Sequence, residues 1–107
     1  MTYEVEPAVQ ALLDAANEGD LAAFLAGFTD DGVVDDWGRE FRGATRIRAW
    51  SDAEFIGKQV TLAVERVERR GDETVVTAQV GGSGFNGPSH FSFHVAGDRV
   101  SRMTIRA

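Results

Sequence analysis

The hydrophobic repeat of this chain changes from helical to strand spacing, and that change limits the folds open to it. Up to Phe55 most apolar residues recur every three or four positions; beyond Lys58 they alternate in twos. Pro7 suits a first helical turn, Val9, Leu12, Leu13 and Ala16 make one stripe, and Gly19 is placed to stop that helix. Asp20 can cap a second helix carrying Leu21, Phe24, Leu25 and Phe28. Thr29-Asp30-Asp31-Gly32 reads as a turn, Val33-Val34 as a short strand, and Gly38 as a break before Arg39-Glu40-Phe41-Arg42. A third helix is expected from Ala44 to Phe55, with Ile47, Trp50 and Glu54 near one face and Gly57 ending it. Four antiparallel strands follow, around Val60–Val64, Thr74–Val80, Phe91–Val95 and Met103–Ile105. Helices first and a meander afterwards make an α+β fold, helices on one face of a curved antiparallel sheet.

At 107 residues, 43% hydrophobic and 26% charged, the chain has room for one core and no second, so residues 1–107 are read as a single domain. Seventeen acidic residues against eleven basic ones give a net charge of −6, with the basic residues scattered; this argues against nucleic acid and anionic membranes as partners. No cysteine is present, which removes disulfides and thiolate chemistry. With only His90 and His94 available, a metal site would have to lean on carboxylates, and none is expected. The acidic start Met1-Thr2-Tyr3-Glu4-Val5-Glu6 is unlike a basic leader, and no apolar run approaches the ~20 residues that span a bilayer. A cytoplasmic location is the expectation.

Val9-Gln10, Asn17-Glu18-Gly19-Asp20-Leu21, Phe28-Thr29-Asp30-Asp31-Gly32-Val33-Val34-Asp35-Asp36, Phe41-Arg42-Gly43 and Ile47-Arg48-Ala49-Trp50 come in an order that resembles the SnoaL-like polyketide cyclases and ketosteroid isomerases. The resemblance implies the cone-shaped fold of nuclear transport factor 2, also called cystatin-like, with three N-terminal helices packed on the sheet. That fold hosts isomerases, cyclases, dehydratases, epoxide hydrolases and non-catalytic binders. It also implies a homodimer through the outer sheet face and chemistry without a cofactor.

By the same resemblance Asp36 takes the place of the isomerase base. The two donors that stabilise the isomerase's dienolate have no counterpart: the tyrosine position matches Leu12 and the carboxylic acid position matches Ser89. Losing one such donor typically costs ~3 to 4 kcal/mol of barrier, which argues against steroid isomerisation. Epoxide hydrolases on this fold use an Asp-Arg-Asp relay to position a water, and the sequence assigns no such trio here.

Alternation puts Asp35 and Asp36 on opposite faces, so at most one of them faces the interior. Trp37, Trp50, Phe85 and Phe91 are candidates for the walls of an apolar pocket, with core filling as the alternative, and Ser89 shares the Phe91 face. Glu54 either reaches the pocket mouth as a second carboxylate or lies on the surface. His90 and His94 alternate with the phenylalanines and are expected outside. The expected ligand is a small, largely apolar molecule, with Asp36 moving a proton in an isomerisation, cyclisation, dehydration or hydrolysis. The alternatives are a non-catalytic binding module and a dimeric scaffold.

Overall fold

Helix α1 (Pro7–Glu18) starts at its proline and buries Val9, Leu12, Leu13 and Ala16. It ends where Gly19 turns left-handed, with Gly19 N–H donating to the Ala16 carbonyl and Asp20 N–H to that of Ala15. The Asp20 carboxylate accepts the Ala23 N–H at 3.0 Å and so opens α2 (Leu21–Ala26). This computed structural model describes residues 5–107, so Met1 to Glu4 of the acidic start, read as unlike a leader, lie outside the described range.

The sequence carries the helical stripe of α2 on to Phe28, but the helix stops at Gly27. The Gly27 carbonyl accepts Val100 N–H at 2.8 Å, which draws the backbone into the sheet. Phe28 therefore begins β1 (Phe28–Asp36), still buried and edge-on to Phe24 with centroids 5.3 Å apart. The expected turn at residues 29–32 is part of this strand, and a register shift between Phe28 and Val33 accommodates its acidic residues and glycine.

β2 (Arg39–Arg42), α3 (Ala44–Glu54) and a 3-10 turn (Ile56–Lys58) follow. The meander is β3 (Thr61–Arg70), β4 (Glu73–Gly81), β5 (Gly87–Ala96) and β6 (Arg99–Arg106). The six strands form one sheet in the order β2-β1-β6-β5-β4-β3. β3 to β6 pair antiparallel, but β1 lies parallel to β6, so the expected all-antiparallel sheet is in fact mixed. Further register shifts at Val64/Arg66 and His94/Val95 bend the strands, as bulges do, and curve the sheet round the helices.

The concave face carries Val34, Val76, Ala78, Phe91, Phe93 and Met103 against α1. A run of rings continues it: Phe28 to Phe24, Phe24 to Phe55, and Phe55 stacked on Trp50 with centroids 4.8 Å apart. The Asn17 side chain fastens α1 to β3 by imitating a strand partner, its amide donating to the Leu62 carbonyl at 3.1 Å and its oxygen accepting Leu62 N–H at 2.6 Å. Among the described residues no helix is long and apolar enough to cross a membrane.

Candidate functional site

The strand ends of β1, β4, β5 and β6 and the start of β3 open on one cavity of about 400 Å³. A volume of this order suits a small organic molecule. Asp36, Trp37, Trp50, Phe85, Ser89 and Phe91 all line it. Phe55, Val80 and Ile105 complete an apolar interior, and Arg39, Glu54 and Lys58 add charge to the lining.

Asp36 reaches the cavity because strand alternation turns it, with Val34, to the concave side, while Asp35 faces outward. Its side chain is only 14% exposed. One oxygen, Oδ2, accepts both the Trp50 indole N–H at 3.0 Å and an Arg39 guanidinium N–H at 2.6 Å. Among the described residues no donor reaches the other oxygen, Oδ1. The carboxylate is thus held on one side and open on the other.

Arg39 ties β2 to α3. Its Nη1 and Nη2 donate to the two Glu54 carboxylate oxygens at 2.9 and 2.7 Å, a bidentate fork that also holds Asp36. The hydrogen bonds from Arg39 pull the Glu54 carboxyl below its ordinary value, and those to Glu54 and Asp36 push the guanidinium up. Glu54 therefore lies at the mouth, the first of its two sequence readings. Sequence reasoning missed Arg39, which stood in a strand fragment after a glycine break. Its partner Glu54 is fifteen residues away on another element, and only the pairing of Asp36 with Arg39 across a two-residue turn brings the three together.

That turn is Trp37-Gly38, with φ of 55° and 88°. Two positive φ values characterise the tight hairpin turn that favours Asn-Gly, and a bulky residue at the first position is strained. Trp37 is also 59% exposed and Phe85, on the β4–β5 loop, 58%. Both stand at the mouth of the cavity, and neither stacks on another ring among the described residues.

Ser89, at the start of β5, is buried on the cavity wall, and its hydroxyl has no hydrogen-bond partner among the described residues. Leu12, at the isomerase tyrosine position, is buried in the core and does not line the cavity. His90 and His94 are on the convex face; His90 is exposed, and His94 Nε2 lies 3.3 Å from Glu73. Asp35 is buried there between Arg102 at 2.8 Å and Arg106 at 3.0 Å. The Arg106 hydrogen bond, the Gly38 N–H and Arg102 together hold its carboxyl below the ordinary range against the opposing effect of burial. A wider hollow at the other end of the strands, about 770 Å³, is lined by polar and apolar groups alike, and there Arg69 pairs with Glu6 at 3.0 Å.

The SnoaL-like domain model matches residues 9–103. A candidate polyketide cyclase from Sinorhizobium meliloti superposes with a TM-score of 0.85 at 26% identity, with 95% of each chain covered. A Catenulispora acidiphila protein of ketosteroid isomerase-like fold, in complex with trimethylamine, gives 0.80 at 22% identity, covering 97% of this chain and 87% of that one. A Mycobacterium tuberculosis protein in complex with estradiol-17β-hemisuccinate gives 0.77 at 17% identity, covering 94% and 90%. No curated protein is significantly similar in sequence. With the expected cone in place and the family model spanning nearly its whole length, the chain belongs to the SnoaL-like family of the NTF2-like superfamily.

Proposed function

We propose that the cavity binds a small, largely apolar molecule and that Asp36 transfers a proton on it without metal or cofactor. The observation that carries this reading is the one-sided hold on Asp36: Oδ2 clamped by Arg39 and the Trp50 indole, Oδ1 open at the cavity wall. A general base needs a fixed direction and one free lone pair within reach of the substrate, and that geometry supplies both. Trp50, Phe55 and Phe91 exclude water from the floor, and the Ser89 hydroxyl is available to donate to a ligand oxygen. Solved relatives in complex with trimethylamine and with a steroid ester, and one assigned as a candidate polyketide cyclase, support a small organic ligand.

Dienolate chemistry of the steroid isomerase kind fits poorly, since Leu12 and Ser89 replace its two strong donors. Hydrolysis by water addition is the second reading, and the Asp36–Arg39–Glu54 order favours it: a carboxylate, an arginine and a carboxylate, as in the epoxide hydrolase relay. Both readings predict turnover within a panel of cyclic epoxides and unsaturated ketones. For the best substrate, Asp36→Asn lowers kcat on the order of 100-fold or more while binding persists. Binding without turnover returns the protein to the binding-module reading, and turnover that survives the substitution removes Asp36 as the proton-transfer group.

The proposal includes a single domain over residues 1–107, a cytoplasmic location, and a homodimer through the convex face that carries His90 and His94. Light scattering at one monomer mass would remove the dimer.

A further inference from the structure

Lys58 is the only lysine in the chain, the other ten basic residues being arginine. It closes the 3-10 turn after α3 and lines the mouth of the cavity. Of the two cations in that lining, Arg39 is already consumed by Glu54 and Asp36. Lys58 has no ion pair or side-chain hydrogen bond among the described residues. In a chain of net charge −6, an unpartnered ammonium at the rim of an aromatic cavity is the feature that the reading above does not use.

Its position is built rather than incidental. The Lys58 carbonyl accepts Ser83 N–H at 2.8 Å, which fastens the β4–β5 loop over it. An added Cβ on Gly84 would lie 3.3 Å from Lys58 Cβ and Cγ, so the lysine stem runs beneath the loop that carries Phe85. One side of the stem thus lies against the loop while the residue as a whole is exposed, as is common for this side chain. A compact, hydrated point charge on a flexible stem suits a carboxylate arriving from water.

We propose that this site takes an amphipathic anion, a molecule with an apolar ring system seated against Trp50, Phe55 and Phe91 and a carboxylate at the mouth paired with Lys58. The inference rests on the cavity being the ligand site and adds the substrate class. It also orients the ligand. The anionic end is held at Lys58, leaving a neutral C–H or O–H bond of the ring system to meet the open oxygen of Asp36, whose other oxygen Arg39 and Trp50 hold.

The test compares 1-naphthaleneacetate with its neutral isostere 1-naphthaleneacetamide by isothermal titration calorimetry at low and high salt. In the native protein the acid binds about five-fold tighter than the amide at low salt, and the gap closes as salt is added. Lys58→Gln brings the two affinities together by weakening the acid alone, and Lys58→Arg keeps most of the preference. Equal affinities in the native protein, or a preference that survives Lys58→Gln, overturn the substrate class and leave the ligand site standing. Tighter binding of 1-naphthylmethylamine than of the acid overturns it in favour of a cationic ligand. If none of the three binds, both the substrate class and the ligand site fall.

Discussion

Asp35 and Asp36 are neighbours in sequence and differ in environment because one residue of a strand faces each side of the sheet. Asp35 is buried on the convex face between two arginines, with its carboxyl held below the ordinary 3.8. The unfolded chain therefore binds the more protons as the solution is acidified. The contribution of this group is complete above about pH 5 and is lost as pH falls through the folded value. Asp35→Asn should lower stability at neutral pH by about 1–3 kcal/mol and flatten the acid limb of a denaturation series measured against pH. An unchanged limb would mean that other carboxylates govern it. Trp37 gives a prediction of mixed sign. Its left-handed backbone is unfavourable for a bulky residue, so Trp37→Asn should stabilise the fold by about 1 kcal/mol while weakening ligand binding. A substitution that destabilises contradicts the backbone argument, and one that leaves affinity intact contradicts a ligand role for the exposed indole.

The β4–β5 loop shows how an element positions the site. Gly82 has φ of 123°, and a Cβ there would lie 2.7 Å from the Gln59 carbonyl oxygen and 2.8 Å from that of Lys58. The glycine here allows a close backbone contact that sets the cavity mouth. Gly82→Ala should cost about 1–3 kcal/mol in a urea titration and also weaken ligand binding, because the loop carrying Phe85 must lift. The helices were legible in the sequence because periodicity and caps agree: Pro7, Gly19 and Asp20 sit where chemistry requires them, and on α3 Ile47 enters the core while Trp50 and Glu54 meet the cavity. Of β1 only Val33-Val34 was legible as strand, since the acidic residues and glycine before it are poor strand formers and a register shift absorbs them. Its parallel partner β6 lies some seventy residues on, a pairing that no local pattern encodes.

Over the whole molecule, the hollow at the open strand ends combines aromatic walls with a directed carboxylate, whereas the hollow at their other end has no Phe, Tyr or Trp among the described residues that line it. Residue types point to the aromatic rings, the family resemblance points to Asp36, and alternation puts at most one of Asp35 and Asp36 inside. The arginine that binds Asp36 to Glu54, and the lysine left without a partner, emerge only when distant elements meet. The central claim is that ligand and Asp36 share this cavity, and the indole N–H signals report it directly, because the chain has two tryptophans and both line the site. In ¹H–¹⁵N spectra, 1-naphthaleneacetate should shift both indole signals, and Asp36→Asn should move the Trp50 signal, which loses its carboxylate acceptor, while most backbone peaks stay in place. Saturable binding that leaves both indoles unmoved, or a Trp50 signal indifferent to Asp36→Asn, would contradict the account.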